Sequence, residues 1–331
     1  MELNQLDCFM AVLEEGSFNR AATRMHRTQP AISYQIKQLE DEVGMSLFHR
    51  RPRRVSPTDA GRLLAQHAQE VIAGVRRARG ALAELSHGVA GEVRIGTVNS
   101  VGIHFLPEVL WAVREKYPEI RTTVLYRESG AIMEALLSSR IDLALVANPR
   151  QDRRLRQETI IQERVSLVCG ASHPFFGRKA VRPSELRGLR FVALTPEHPT
   201  GQLVRDFLAR LGVDVEPVVS TANVETVKKM VEVGLGVAFL PDMVTAGEVS
   251  CNGHPAGRLA RIEVGPPLVR SIALVSWRNA EPSRAVAAFI ELLQAHGRRW
   301  RGCHNRPNAE AGCIESAGET HRAAPRLAQA G

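Results

Sequence analysis

The spacing of apolar residues divides the chain into a helical N-terminal stretch and a longer stretch of alternating strands and helices. Residues 1 to about 90 carry apolar residues at helical spacing and almost no strand pattern. Residues 92–298 show the order β-α-β-α-β twice. Two further apolar runs, at 164–170 and 271–277, connect the two sets. This pattern predicts two α/β lobes with a ligand cleft between them.

Within the N-terminal stretch, the pattern predicts two short helices joined by a turn. Ser17 is placed to cap the first helix, Thr28 is placed to cap the second, and Gly44 ends the second. Pro30 falls in the first turn of the second helix, where its missing N–H is harmless. One apolar stripe is expected to be buried, and it consists of Ile32, Ile36, Leu39 and Val43.

The opposite face of the second helix is polar. Gln29, Ser33 and Lys37 lie four residues apart, with Pro30 and Tyr34 beside them. A helix N-terminus in a DNA major groove presents such side chains to base edges and phosphates. Helix-turn-helix spacing also occurs in helical bundles that bind no DNA, so the spacing alone leaves both interpretations open.

A basic turn follows the polar face and favours DNA binding. Residues 20–62 carry nine basic against four acidic residues, although the whole chain has a net charge of only +8. A tight basic turn around Pro52 has the shape of a wing that reaches phosphates or the minor groove. Its arginines are Arg50, Arg51, Arg53 and Arg54.

A long helix is predicted from Thr58 to about Ser86, with an apolar seam at alternating spacings of four and three. Such a seam is typical of a coiled-coil pair, because each seam residue packs into a partner helix. The seam consists of Leu64, Ala68, Val71, Val75, Ala78, Leu82 and Leu85. The alternative is that the helix packs on the chain's own α/β lobes. Pairing of two chains would hold two DNA-reading helices at a fixed separation and predict paired half-sites.

The chain carries no recognisable catalytic or metal-binding motif, and we expect neither an enzyme nor a cofactor. Phosphate loops, a Gly-x-Ser-x-Gly turn and a His-Glu-x-x-His pair are absent, and the tail residues Cys303, His304, Cys313 and His321 fit no zinc spacing. Hydroxyl and amide side chains instead follow several predicted strands at helix starts. Together they suit a small anion, whereas each one alone is also explained by ordinary helix capping.

The composition bears on the number of folded cores and on the cellular location of the protein. With 44% hydrophobic and 24% charged residues over 331 positions, the chain is expected to fold into more than one core. Five scattered cysteines and an N-terminus without signal-peptide character predict a cytoplasmic protein. No apolar run is long enough for a membrane span. Residues 299–331 lack periodicity and are expected to be disordered.

The N-terminal residues resemble those of the LysR-type transcriptional regulator family. The matching residues are Leu6, Phe9, Gly16-Ser17-Phe18, Ala21-Ala22, Gln29-Pro30-Ala31-Ile32-Ser33, Ile36, Leu39-Glu40, Leu47-Phe48-His49-Arg50 and Thr58-Asp59-Ala60-Gly61. The resemblance implies a winged helix-turn-helix over 1–60, a linker and dimerisation helix over 61–90, and an effector-binding domain over 91–298. It implies an α+β multidomain fold whose two Rossmann-like lobes, about 91–163 with 268–298 and about 164–267, resemble a type 2 periplasmic binding protein.

The resemblance also assigns roles to residues. Gln29, Pro30, Ser33, Tyr34 and Lys37 correspond to the part of the family's recognition helix that touches DNA, and Arg53 and Arg54 correspond to its wing. The residues implied to line the effector cleft are Ser100, Val101, Ser129, Asn148, Thr195, Thr200, Gly201 and Asn223. Dimers that assemble to homotetramers are implied as well.

The resulting hypothesis is a DNA-binding regulator that senses a small anionic metabolite. Its expected partners are promoter DNA with paired half-sites, the effector and other copies of the chain, and RNA polymerase is a candidate further partner. Effector binding would change the arrangement of dimers on DNA. The alternatives are an architectural DNA-binding protein without a ligand and a small-molecule enzyme with a helical appendage.

Overall fold

The computed structural model describes residues 1–51, 54–87, 89–248 and 257–304. The chain divides into two compact units: the first holds Met1–Gly88 together with Leu137–Arg140, and the second begins at Val89. Among the described residues, no helix combines the length and the apolar character needed to cross a membrane.

The N-terminal unit consists of three short helices, a β-hairpin and a long helix. The elements are α1 (Leu3–Glu15), α2 (Phe18–Arg24), α3 (Gln29–Val43), β1 (Phe48–Arg51), β2 (Arg54–Pro57) and α4 (Asp59–His87). Ser17 Oγ accepts a hydrogen bond from Arg20 N at 3.4 Å and so caps α2. Gly44 ends α3 in the left-handed conformation, at φ 69°, which glycine adopts without steric cost. These boundaries agree with the helix-turn-helix pattern of the sequence.

The second unit is built around a mixed β-sheet flanked by helices. Its first half contains β3 (Gly91–Thr97), α5 (Asn99–His104), α6 (Leu106–Lys116), β4 (Ile120–Tyr126), α7 (Ser129–Leu137), β5 (Leu143–Ala147) and β6 (Leu155–Gly170). The remainder contains β7 (Ala180–Val181), β8 (Phe191–Leu194), α8 (Pro199–Arg210), β9 (Pro217–Thr221), α9 (Val224–Glu232), β10 (Ala238–Pro241), α10 (Asp242–Thr245), β11 (Leu259–Val264), β12 (Val269–Trp277) and α11 (Arg284–His304).

Two long antiparallel strands, β6 and β12, connect the two lobes. In the first lobe, β3 pairs in parallel with both β4 and β5, as the β-α-β-α-β order predicts. The strand β12 pairs with β5 on one side and with the first half of β6 on the other. The second half of β6 pairs with β10 and β11. One strand therefore supplies hydrogen-bonding partners to both lobes.

The second lobe adds an antiparallel strand to the parallel arrangement that its strand order suggests. Strands β8 and β9 form a parallel pair, a parallel bridge joins Phe191 of β8 to Val237 just before β10, and β10 itself pairs antiparallel with β6. The β6 strand reaches this lobe because it continues for 16 residues, far beyond the predicted run of 164–170. Its first half was missed because charged and polar residues interrupt the apolar pattern there.

The predicted start of the disordered tail is wrong by six residues. Helix α11 continues to His304, beyond the expected end of the folded part at residue 298. Trp300 explains part of this extension, because its ring packs edge-on against buried Phe105 with 5.8 Å between ring centroids. The rest of the predicted tail, residues 305–331, lies outside the described residues.

Candidate nucleic-acid interface and ligand site

Helix α3 buries one face and exposes the predicted DNA-reading face. Ile32, Ile36 and Leu39 are completely buried in the core of the N-terminal unit, and Val43 packs against that core. The side chains on the opposite side are exposed, except that Ser33 is half-buried: Gln29, Pro30, Ser33, Tyr34 and Lys37. Burial of the apolar stripe therefore fixes the rotation of the helix and turns these side chains outward.

Two hydrogen bonds order the polar face in the absence of DNA. Gln29 Nε2 donates to Ser33 Oγ at 2.8 Å, and Gln38 Nε2 donates to the Tyr34 hydroxyl at 2.9 Å. Both pairs are four residues apart on the helix, the spacing at which side chains are neighbours. Base edges and phosphates can replace these exposed partners without leaving a buried polar group unsatisfied.

The predicted wing is a β-hairpin anchored to the helical core. Strands β1 and β2 pair antiparallel from Phe48 opposite Pro57 to Arg51 opposite Arg54. The Phe48 ring lies 5.2 Å from the Phe9 ring and 6.0 Å from the Phe18 ring, between centroids. The predicted wing contacts of Arg50, Arg53 and Arg54 lie outside the described residues, which include no side chain of these three arginines.

Only part of the predicted seam on α4 is available to a second chain. Ala68 is buried and Leu64 half-buried, and both belong to the core of the N-terminal unit. For these two residues the structure corrects the expected seam, because the start of α4 packs on α1 of the same chain. Further along, Val71 is 50% exposed and Leu82 is 66% exposed. Val75 is half-buried, Ala78 is exposed, and the side chain of Leu85 lies outside the described part.

A buried ion pair lies where the two lobes join. Arg270 on β12 stands directly opposite Glu163 on β6. Arg270 Nε donates to Glu163 Oε1 at 2.7 Å, and the two side chains are only 1% and 3% exposed. The second carboxylate oxygen, Glu163 Oε2, accepts a hydrogen bond from Met243 N at 2.9 Å. The carboxylate is therefore satisfied on both oxygens, as a buried charge requires.

The same guanidinium connects two of the predicted ligand residues across the lobes. Arg270 Nη1 donates to Thr200 Oγ1, and Nη2 donates to Ser100 Oγ, each at 3.2 Å. Ser100 lies on α5 of the first lobe, Thr200 lies on α8 of the second, and both are buried. Arg270 thus joins a hydroxyl from each lobe to one buried charge.

His198 completes this group and is held in its neutral form. Its Nδ1 accepts a hydrogen bond from Thr200 N at 3.1 Å and so caps α8. Burial and the positive charge of Arg270 lower the pKa of the imidazole from 6.5 to about 4. Gly201 follows in the same turn, where a Cβ atom would lie 2.4 Å from the Thr195 carbonyl oxygen. A side chain at position 201 would push α8 away from the end of β8.

The structure gives the other predicted ligand residues mainly structural partners. Asn148 Oδ1 accepts from Ser271 N at 2.9 Å, beside Arg270, and Asn223 Oδ1 caps α9 by accepting from two backbone N–H groups. Val101 is completely buried. Ser129 and Thr195 are half-buried and follow the ends of β4 and β8. Ser100 and Thr200 are the two members of the predicted set whose side chains accept hydrogen bonds from the same charged group among the described residues.

The sequence alone did not lead to Arg270, Glu163 or His198. A charged residue within each long strand was the available signal, but the strand register was needed to place the two charges opposite each other. His198 stands next to Pro199, a context that is typical of a turn residue. The structure instead makes it the N-cap of α8, so that helix begins one residue before Thr200.

The surroundings of two cysteines indicate how reactive their thiols are. Cys8 and Cys169 are both buried, and burial raises the pKa of each thiol, that of Cys169 to about 11. A thiol with a raised pKa holds little of the reactive thiolate at neutral pH. These two cysteines are therefore structural.

Comparison with known proteins identifies two matching family models, which together cover most of the chain. Residues 3–62 match the bacterial regulatory helix-turn-helix protein, lysR family, and residues 86–298 match the LysR substrate binding domain. A relative from Phaeodactylum tricornutum, a probable RuBisCO transcriptional regulator, is 25% identical over 298 residues, covering 88% of this chain and 96% of the relative. A hydrogen peroxide-inducible genes activator from Dickeya chrysanthemi is 27% identical over 248 residues, covering 75% of this chain and 81% of the relative.

Solved structures of full-length regulators share the fold. An OxyR variant from Pseudomonas aeruginosa superimposes with a TM-score of 0.66 at 24% identity, covering 90% of this chain and 95% of that chain. CbnR, a LysR family transcriptional regulator, superimposes with a TM-score of 0.64 at 20% identity, covering 90% of this chain and 99% of that chain. The expected fold, a helix-turn-helix followed by a two-lobed effector-binding domain, is confirmed. The chain belongs to the LysR family and is a DNA-binding transcriptional regulator with an effector-binding domain, not an enzyme.

Proposed function

We propose that this regulator binds a small polar effector between its two lobes, beside Arg270. The hydrogen bonds from one guanidinium to Ser100 and Thr200 support this proposal most directly. A ligand that forms hydrogen bonds with the Ser100 and Thr200 hydroxyls beside Arg270 would contact both lobes at once. Binding would thereby be coupled to the relative position of the lobes.

Regulation follows if the effector favours one assembly on DNA over another. We propose homodimers that pair through the exposed part of the α4 seam, assemble to homotetramers and bind promoter DNA at paired half-sites in the cytoplasm. The effector must bind two assembly states with different affinity, because equal affinity would shift no population. RNA polymerase is a further proposed partner of the DNA-bound form.

Substituting Thr200 with Val is expected to weaken effector binding at least tenfold while leaving the shape of the side chain unchanged. The substitution removes the hydroxyl that accepts from Arg270 in the second lobe. A thermal-shift screen of metabolites against the full chain would first identify a stabilising compound. Calorimetric titration of that compound into the parent and T200V proteins would then measure the loss.

The matched control is Thr226→Val, because Thr226 is an exposed threonine on α9. T226V should bind the compound like the parent. A compound that stabilises the parent and T200V equally would exclude the site beside Arg270. A screen in which no metabolite binds, with unchanged DNA affinity, would favour an architectural DNA-binding protein without an effector.

Substituting Gln29 with Ala is expected to reduce discrimination between the preferred DNA site and a single-base variant by about 1–3 kcal/mol. Gln29 is exposed at the first position of α3, where side chains reach base edges. The preferred site would be obtained by selection from random duplexes with the parent protein. Fluorescence anisotropy would then give both dissociation constants.

Lys37→Ala is the control for this prediction, because an exposed lysine near the DNA backbone contributes equally to the affinity for every DNA sequence. K37A should weaken binding to every duplex and reduce the dependence of affinity on salt. Equal discrimination by Q29A and the parent would show that Gln29 does not contribute to base recognition.

A further inference from the structure

We infer that Glu163 restricts the proposed effector site to uncharged polar molecules, so that small anions are rejected. This inference rests on the proposed effector site beside Arg270 and revises the anionic class expected from the helix starts. Its basis is that the positive charge facing the site already has a buried counter-charge. Arg270 and Glu163 stand opposite each other on β12 and β6, with 2.7 Å between the interacting atoms.

All three guanidinium nitrogens of Arg270 have partners. Nε and Nη2 contact Glu163, Nη1 donates to Thr200, and Nη2 also donates to Ser100. A carboxylate ligand would usually bind such a guanidinium through two parallel hydrogen bonds. Here Glu163 already occupies the edge formed by Nε and Nη2, and it is itself fixed by the hydrogen bond from Met243 N. A carboxylate could take only the edge formed by Nη1 and Nη2, in place of Ser100 and Thr200, where Glu163 already balances the charge of Arg270.

Among the described residues, the arginines near Glu163 are themselves paired, Arg261 with Asp242 and Arg164 with Glu263. His198 is neutral because its pKa is about 4. Asp242, whose carboxyl has its pKa raised by burial, adds a further acid near Glu163, and Arg261 lies 3.7 Å from it. An anion entering this region would therefore meet a balanced set of charges in a setting where an unpaired charge is costly.

An uncharged molecule meets a more favourable site. The hydroxyls of Ser100 and Thr200 can each donate and accept a hydrogen bond. An uncharged ligand can therefore bind them without changing the net charge of the buried site. Hydroxyl, amide or similar polar groups fit this arrangement. The charge of Glu163 thus acts as the element that discriminates against anions, in the way that a repulsive group sets specificity.

The test is the substitution Glu163→Gln, which keeps the size of the side chain and removes its charge. We expect the E163Q protein to bind acetate at least tenfold more tightly than the parent, because Arg270 then lacks its counter-charge. Acetamide, the uncharged analogue, should show no such gain. Binding would be measured by calorimetric titration of the full chain, with sodium chloride used to keep ionic strength constant.

Two further variants separate the site from general charge effects. Glu263 on β11 is exposed, so E263Q makes the same change in net charge at the surface and should bind acetate like the parent. The double variant E163Q/R270Q should lose the gain, because it lacks the guanidinium. Equal acetate affinity of E163Q and the parent, or a gain that persists in E163Q/R270Q, would overturn the inference.

The parent protein provides a second test that does not depend on the folding of E163Q. In the metabolite screen, compounds that stabilise the parent but not T200V should be uncharged at neutral pH. A carboxylic or phosphoric acid whose effect depends on Thr200 would overturn the inference about charge. That result would leave the effector site itself in place, because the dependence on Thr200 is the separate test of the site.

Discussion

Replacing Arg270 with Met is expected to lower the free energy of unfolding of the α/β unit by about 3–5 kcal/mol. The substitution leaves the carboxylate of Glu163 buried, with 3% of its side chain exposed and without its counter-charge. It also removes the donor to Ser100 and Thr200. Loss of one member of a buried pair costs more than the pair contributes, because the remaining charge has no compensation.

The double variant E163L/R270M should regain most of this stability. Removing both charges leaves no buried ion to solvate, and apolar side chains of similar size can pack between β6 and β12. The two residues are in direct contact, so their effects should deviate strongly from additivity, at the upper end of the range of about 0.5–3 kcal/mol seen for coupled pairs or above it. Such coupling would distinguish a buried ion pair from two independent residues.

The natural tryptophans make this measurement specific for the second unit. The chain has three, Trp111, Trp277 and Trp300, and all lie after residue 88. Urea unfolding followed by tryptophan fluorescence therefore reports on the α/β unit. Arg164→Met is the control, because Arg164 follows Glu163 on β6 but its side chain is 54% exposed, and its effect should stay within about 0.5 kcal/mol. A similarly small effect of R270M would contradict the proposed importance of the pair.

Periodicity was sufficient to predict the DNA-reading face. Ile32, Ile36 and Leu39 follow helical spacing, and burial of that stripe decides where Gln29 and Lys37 point. Which face of α3 is exposed depends only on contacts within the N-terminal unit and on the regular geometry of an α-helix. Local capping signals at Ser17 and Gly44 located the helix ends for the same reason.

The ligand site depended on information that no local pattern carries. Arg270 and Glu163 are 107 residues apart in the sequence and become neighbours only through the register of β12 on β6. A shift of one residue in that register would turn one of the two side chains to the opposite face. Ser100 and Thr200 were identified by resemblance, but their shared partner could be found only in the structure.

Introducing a charge at Leu82 is expected to separate the dimer and to reduce affinity for paired half-sites about 10²-fold or more. Leu82 is 66% exposed on α4 and lies four residues after Ala78 in the proposed seam. In a paired helix, Leu82→Glu would place a carboxylate in the apolar contact between chains. Loss of pairing removes the advantage of binding two half-sites at once, whereas affinity for a single half-site should remain.

The control variant, Gln66→Glu, adds the same charge to an exposed position of α4 outside the seam. Sedimentation equilibrium should show dimers or larger assemblies for Q66E and smaller species for L82E. Anisotropy with one and with two half-sites then relates assembly to affinity. A dimeric L82E protein with parental affinity would mean that chains pair through another surface. In that case α4 would only connect the two units, and the spacing of half-sites would be set elsewhere.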